Sequence, residues 1–450
     1  MHVLIVYIFQ IIYVHTNLLV SFNVMPERLP CKSINCERTI LPTTAQDTGG
    51  FCMPCVQRKR DEQDKAYVSA NKKDINQYKN VNNPLEIIKI YHQPTKRDPL
   101  IHYVPYPDPI DQVYLRLDST QIAGAITYVL QLLEKKDAKD TAIDIAIKLV
   151  SFINADISSI LEALVKEEEY YPSFLFRSAS IGIRNKLFEK LLNNTGRIDH
   201  IISALAWIGD KEVVAFFSQQ QNPLYRNIFE SEPKFLEYTK TAGWELDSNG
   251  NKQNLYYKKC YPFVKQQNNL PNSRHTTFTA QKSSCKFCGA ELTSLFTLDL
   301  ADDNLKFIEC DKSHLSIGTC LRCCWHADPF FAEVGENGLV DCSDFNKNPD
   351  PLPKLDDVFE RPIENCLMLS DKPRSAYYCV DWCSPVVQSQ VGGFPTWIQN
   401  DYYPSCPKCS NTMIFIGQIA NDDCLDYSEG IYYAFICSGC SMSATTYQQT

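Results

Sequence analysis

Much of the chemistry open to a chain of 450 residues is narrowed by what this one does not contain. Its eight histidines (His2, His15, His92, His102, His200, His275, His314 and His326) form no paired motif, so the usual histidine signature of a hydrolytic metal site is missing. There is no Walker loop, no dinucleotide fingerprint and no Gly-x-Ser-x-Gly elbow. Gly392-Gly393 ahead of Phe394-Pro-Thr-Trp397 reads as a turn and would make a poor phosphate cradle, and Glu429-Gly430 reads as a hairpin turn. No catalytic residue is assigned, and the chain is expected not to be an enzyme. Positive charge is also short. With 44 Lys and Arg against 53 Asp and Glu, the formal charge of −9 disfavours a general electrostatic grip on nucleic acid or an anionic membrane.

Long apolar runs are confined to the first 24 residues, MHVLIVYIFQIIYVHTNLLVSFNV. That stretch lacks the basic flank and the small-residue cleavage site of a signal segment, and Gln10, His15 and Asn17 interrupt it. Met25 is therefore expected to be the true start, with residues 1–24 upstream sequence read through. A membrane anchor and a buried apolar arm are the alternatives.

What is present divides in three. Residues 25–117 hold four cysteines, a charged segment from Arg58 to Lys73 with the character of a solvated helix, and a proline-rich connection (Pro84, Pro94, Pro99, Pro105, Pro107, Pro109) expected to be extended. Residues 118–245 turn helical, with Ser119 or Thr120 as cap and amphipathic runs at Thr141–Ile153, Ile157–Val165, Ile181–Leu192 and Ile198–Trp207. Near their end, Gly209 permits a left-handed residue and Asp210 caps the next run, a pattern that resembles a HEAT-like helical hairpin. Residues 246–450 alternate in the manner of strands at Leu295–Leu300, Leu305–Ile308, Met413–Ile416 and Ile431–Ile436.

The twenty cysteines carry the strongest signal. Three groups of four stand out: Cys31, Cys36, Cys52 and Cys55; Cys285, Cys288, Cys320 and Cys323; and Cys406, Cys409, Cys437 and Cys440. A Cys-x2-Cys turn sets two thiolates on one side of a tight loop, and two such turns close a four-sulfur zinc site. The second and third groups share an order of knuckle, strand, acidic loop, strand and knuckle, which suggests two copies of one zinc-ribbon unit. Iron–sulfur binding uses the same ligands and stays open. Cys324 and His326 offer alternative ligands to the second group. The other unassigned cysteines (Cys260, Cys310, Cys342, Cys366, Cys379, Cys383 and Cys424) are expected mostly as small buried side chains. Each four-thiolate zinc site carries −2, so three would take the formal charge from −9 to about −15.

Gln390-Val-Gly-Gly-Phe-Pro-Thr-Trp-Ile-Gln399, Tyr403-Pro-Ser-Cys406-Pro-Lys-Cys409 and Met413-Ile-Phe-Ile-Gly-Gln418-Ile419 together resemble the YwqG-like family of bacterial proteins. The resemblance is good over 388–450 and extends back to about 285. It implies a β-rich, internally duplicated domain without established catalytic residues, and a loose association with toxin-immunity neighbourhoods. Many members of that family lack these cysteines, so the zinc is read from this sequence alone.

The expected architecture is α+β and multidomain, with a small zinc-binding head, a HEAT-like helical middle and a β-rich YwqG-like domain carrying two zinc-ribbon sites. The expected role is a cytoplasmic scaffold that binds a protein partner, with Tyr402, Tyr403, Tyr432 and Trp397 as its anchors where they are exposed, the alternative being that each is a core side chain. A toxin-immunity protein, a nucleic-acid binder acting through the first cysteine group with Arg58-Lys59-Arg60, and an enzyme with a reactive thiol are the alternatives. No membrane contact is expected unless residues 1–24 are a real anchor.

Overall fold

The computed structural model describes residues 27–220, 235–265, 274–325, 329–348, 366–425 and 429–449. The apolar stretch 1–24, the choice of Met25 and His326 lie outside them. Two compact units divide the chain. One is Met1–Lys79, described from residue 27, with Pro94–Pro105; the other is Asn80–Gln93 with Tyr106–Thr450. The helical and β-rich stretches thus share one unit, and residues 80–93 belong with them.

In the first unit, β1 (Leu29–Pro30) pairs antiparallel with β2 (Thr39–Ile40). Helix α1 (Pro42–Thr48) and the long α2 (Met53–Asn71) each begin with proline in the first turn, where the missing N–H costs nothing. The charged segment therefore is helical, and α2 buries only Cys55. Strands β3 (Lys73–Ile75) and β4 (Ile101–Tyr103) pair in parallel.

The second unit opens with α3 (Pro84–Tyr91), which interrupts the expected extended connection. The Asn83 side chain accepts from the N–H of Leu85, and Pro84 supplies a preset first turn. Helix α4 (Ile110–Tyr114) follows, then α5 (Ser119–Leu133). Its cap is Asp118, one residue ahead of the expected Ser119, because Asp118 and Gln121 satisfy each other's backbone N–H in a capping box. After α6 (Lys139–Ile153), α7 (Ser158–Lys166), α8 (Ile181–Leu192) and α9 (Ile198–Ile208), Gly209 ends the helix at φ +50°, and the Asp210 carboxylate accepts from the N–H of Val213 at 3.1 Å in α10 (Lys211–Gln220). Helix α11 (Phe235–Thr241) leads into a hairpin of β5 (Trp244–Leu246) and β6 (Lys252–Asn254).

Two sheets follow. The smaller has β9 (Glu291–Asp299) between β8 (Thr276–Ser284) and β10 (His314–Thr319), all antiparallel. The larger has eight strands, in the order β12 (Val340–Cys342), β11 (Phe330–Val334), β17 (Met442–Gln448), β16 (Ile431–Cys437), β15 (Ile414–Ala420), β14 (Gln390–Gly392), β7 (Cys260–Lys265) and β13 (Leu367–Leu369). Leu305–Ile308, expected as a strand, is a turn built on the 3-10 segment Asp303–Leu305; the Asp302 carboxylate caps it through the N–H of Asn304.

Strand β16 explains the layering. Tyr432, Ala434 and Ile436 face a core shared with the smaller sheet, whereas Ile431, Tyr433 and Phe435 face a second core on the other side. Successive side chains point to opposite faces, so a strand covered on both sides is apolar throughout. The second core meets the helices at Trp207, whose ring lies 4.8 Å from Phe394. The Trp244 indole N–H donates to the Ala206 carbonyl at 2.8 Å, one of the last carbonyls of α9 and so in need of a partner.

Candidate metal centres

Each of the three cysteine groups converges. In every one, the four sulfur atoms lie within 4.8 Å of one another and could hold a metal ion. All twelve thiols are free.

The first group is held by two local devices. The β1–β2 pair closes the loop carrying Cys31 and Cys36, with the Cys31 N–H donating to the Arg38 carbonyl at 2.9 Å. Cys52 and Cys55 sit at the start of α2, where the helix dipole favours negative charge. The Cys52 N–H donates to Cys31 Sγ at 3.2 Å, and the Arg58 guanidinium donates to Cys55 Sγ at 3.1 Å and to Ser33 Oγ at 3.3 Å. A hydrogen bond from Ser33 and then one from Cys52 hold the Cys55 thiol down at about 6. Arg58, read from sequence as a nucleic-acid contact, is thus engaged with a sulfur of the first group.

The second and third groups use the same turn. In one, the Cys285 N–H donates to the Ala290 carbonyl at 2.8 Å and the Gly289 N–H to the Cys285 carbonyl at 3.0 Å. In the other, the Cys406 N–H donates to the Asn411 carbonyl at 2.8 Å and the Ser410 N–H to the Cys406 carbonyl at 2.8 Å. Gly289 and Ser410, one residue past the second cysteine, are left-handed at φ +72° and +63°. Each turn leads to a bulged antiparallel hairpin, β9–β10 or β15–β16, that returns the chain to the other two cysteines. A short 3-10 segment separates the strands in both cases.

Their surroundings differ. All four cysteines of the second group are buried within the core between the sheets, whereas Cys409 is exposed and Cys437 and Cys440 are half-buried. Hydrogen bonds from Cys285 and then Cys323 hold the Cys320 thiol down at about 4, while burial pushes Cys437 up.

The donor sets fit a tetrahedral ion. Sulfurs 2.3 Å from a central zinc would be about 3.8 Å apart. Here Cys36 and Cys52 are separated by 3.7 Å, Cys285 and Cys323 by 3.6 Å, Cys288 and Cys320 by 3.5 Å, and Cys409 and Cys437 by 3.7 Å. Bound there, a zinc ion would offset two of the four thiolate charges and lock each knuckle without an open position.

One residue at the second centre has no spacing signal in the sequence. Cys342, at the end of β12, is buried in the same core as the second group though outside its set, and the Asn346 amide donates to Cys342 Sγ at 3.6 Å. Ser283 to Asp341 and Lys286 to Asp344 tie the same two segments together. Cys324, the alternative ligand, is buried with its thiol bonded to Thr319.

Two sequence expectations need correction. Tyr403 and Tyr432 are buried, and Trp397 packs 4.6 Å from the Tyr433 ring, so of the four proposed anchors Tyr402 alone is exposed. The cause is the two-sided core around β16. Of the cysteines outside the groups, Cys260, Cys324, Cys342 and Cys379 are buried as expected, but Cys310, Cys366 and Cys424 are half-buried and Cys383 is exposed. Cys383 sits in a turn capped by Asp381, where no core reaches it.

Among the described residues no helix is long and apolar enough to cross a membrane. No family model matches the chain, and no solved structure matches it. A comparison with known proteins finds the uncharacterised protein YpfL of Salmonella typhimurium, 32% identical over 433 residues that span 95% of this chain and the whole of that protein. At that identity over that length, the chain belongs to the same family as YpfL.

Proposed function

We propose that this is a zinc-stapled, non-enzymatic scaffold that binds a protein partner in a reducing, cytoplasmic setting. The observation that carries the reading is the set of three all-cysteine groups at tetrahedral spacing. Four thiolates fill the coordination shell of zinc, so such sites brace loops and offer no position for substrate. We read the two matching turn-and-hairpin units as duplicated zinc ribbons in a YwqG-like domain, and the α9–α10 pair as a HEAT-like hairpin.

Support for a partner comes from α8. Ile181 and Leu192 are each 66% exposed. Eleven residues apart, they fall within about 20° of each other around the helix, so both ends of one face carry an exposed apolar side chain, with Asn185 and half-buried Phe188 between them.

Elemental analysis and thiol counting on protein expressed from Met25 test the metal. The expected result is three zinc per chain with twelve thiols protected until a chelator is added. Iron with a charge-transfer absorption, or no metal at all, overturns it. Cross-linking in cells tests the partner: replacing Ile181 and Leu192 together by Asp should abolish the cross-linked complex and leave the zinc content unchanged. An unaltered complex would refute binding through this face.

A further inference from the structure

The third cysteine group is less buried than the second, and a cleft of about 560 Å³ opens beside it. Both of its knuckles supply wall. Asn411 and Thr412 follow the first, and Cys437, Ser438 and Gly439 belong to the second. The floor is apolar: Ile414 and Ile436 are cross-strand partners at the ends of β15 and β16, and Tyr256 joins them with its hydroxyl already committed 2.6 Å from that of Tyr377. Lys258 and Glu309 stand exposed on the rim. The backbone that carries each is fixed. The Gly393 N–H donates to the carbonyls of Tyr257 and Lys259 at 2.9 Å, on either side of Lys258, while Phe307 packs edge-on 5.3 Å from the Tyr257 ring and Ile308 is buried just ahead of Glu309. Among the described residues, Lys258 and Glu309 have no ion-pair partner, and the side-chain amides of Gln253, Asn254 and Asn411 on the same rim make no hydrogen bond within the protein.

A cleft of this size, with an apolar floor and convergent polar groups, has the anatomy of a small-ligand site. Opposite charges that do not reach each other call for a ligand carrying both signs. Side-chain amides offer donors and an acceptor together, and a peptide group needs both. A polyphosphate would meet the Glu309 carboxylate, and a neutral sugar would leave both charges unused. We propose that the cleft binds a short peptide with both ends free, its carboxylate at Lys258, its ammonium at Glu309, its peptide groups among the three amides and its side chains over Ile414, Ile436 and Tyr256. This site is separate from the α8 face. The exposure of the third centre then follows from its place in the wall of a binding cleft, whereas the second centre is sealed in a core. A free peptide and the terminus of a protein chain share one charged end, so the other end tells the two sources apart.

The test uses the full-length chain, prepared under reducing conditions with its metal content measured, and a random tripeptide library in three forms: free at both ends, acetylated at the amine, and amidated at the carboxylate. Ultrafiltration with mass spectrometry reads which peptides are retained. The expected result is retention of free-ended peptides, weakened about tenfold or more by capping either end, since each cap removes a charge-assisted bond. Lys258→Glu should abolish the preference for a free carboxylate, and Glu309→Lys the preference for a free amine. Metal content and urea midpoint should stay unchanged, because both side chains are exposed. Lys258→Gln and Glu309→Gln carry the same expectation if either reversal folds poorly. No retained peptide, retention indifferent to both substitutions, or retention that survives acetylation, as it would for a protein terminus, each overturns the proposal.

Discussion

Removing the metal should dismantle the first unit and spare the second. Among the described residues, the core of the first unit consists of Cys31, Ile40, Cys52 and Cys55, so Ile40 is its one buried side chain outside the cysteine group. Burying one isoleucine contributes about 2 kcal/mol. A structural four-thiolate zinc contributes on the order of 10–16 kcal/mol to folding. Helix α2 runs nineteen residues but buries only Cys55, and a helix of that length is marginal in water by itself. The metal term therefore decides whether this unit folds. The second unit keeps two extensive apolar cores whatever happens at its sulfurs. Hydrogen exchange read by mass spectrometry, with and without a chelator under reducing conditions, separates the two. The amides of Cys55 and Val56, both bonded to the Cys52 carbonyl, should lose roughly a thousandfold or more of protection, equivalent to about 4 kcal/mol or more. Those of β16 should keep theirs. Protection at Cys55 that survives verified metal loss would refute the reasoning.

Three other outcomes follow from the same structure. His92 is buried, its Nδ1 2.9 Å from the Asp144 carboxylate and its Nε2 2.9 Å from the Tyr114 hydroxyl. Burial holds its pKa below the usual imidazole value, so the folded state binds fewer protons and stability falls as pH drops below about 6.5. Asp144, bonded to His92 and Lys148, resists its own burial and sits at about 2; its contribution is present above the ordinary carboxylate value and lost as pH falls toward 2. Urea midpoints across pH 7 to 3 should show both limbs, and His92→Gln should flatten the upper one and weaken the lower, because it also takes the imidazole from Asp144; an unchanged upper limb would count against the assignment. In Gly392→Ala, the new methyl would run into the Lys259 carbonyl oxygen at a residue with φ +68°, so a loss of about 3 kcal/mol or more is expected by denaturant titration. A loss under about 0.5 kcal/mol would mean that the turn can open. Trp244→Phe should cost about 1–3 kcal/mol by leaving the Ala206 carbonyl without its indole donor, and wild-type stability in the same titration would show that the bond contributes nothing.

The parts legible in the sequence are those in which chemistry and spacing are local. A Cys-x2-Cys turn brings its two sulfurs together by itself, so all twelve grouped cysteines could be picked out by position. The Gly209–Asp210 helix break is equally local. Cys342 reaches the core of the second group only through strand pairing across the fold, and no spacing announces it. Tyr403 and Tyr432 read equally as anchors or as core for a related reason. Aromatic residues in an alternating strand look half-exposed until a second layer covers the other face. The cap at Asp118 turned on which of three adjacent polar residues could pair with Gln121, a choice of one residue that apolar periodicity does not resolve.

The order of strands in the larger sheet has a consequence for biosynthesis. Strand β7 lies between β14 and β13, both made more than a hundred residues later, and β11 waits for β17 at residues 442–448. As the chain leaves the ribosome, its first four-sulfur group is complete at Cys55, while β7 must wait unpaired through most of the remaining synthesis. Long-range pairing of this kind is slow, and it leaves apolar strand edges open to wrong partners. Metal supply would thus act first on the early unit. Chaperone supply would matter most for the nascent segment between Cys260 and Gln390.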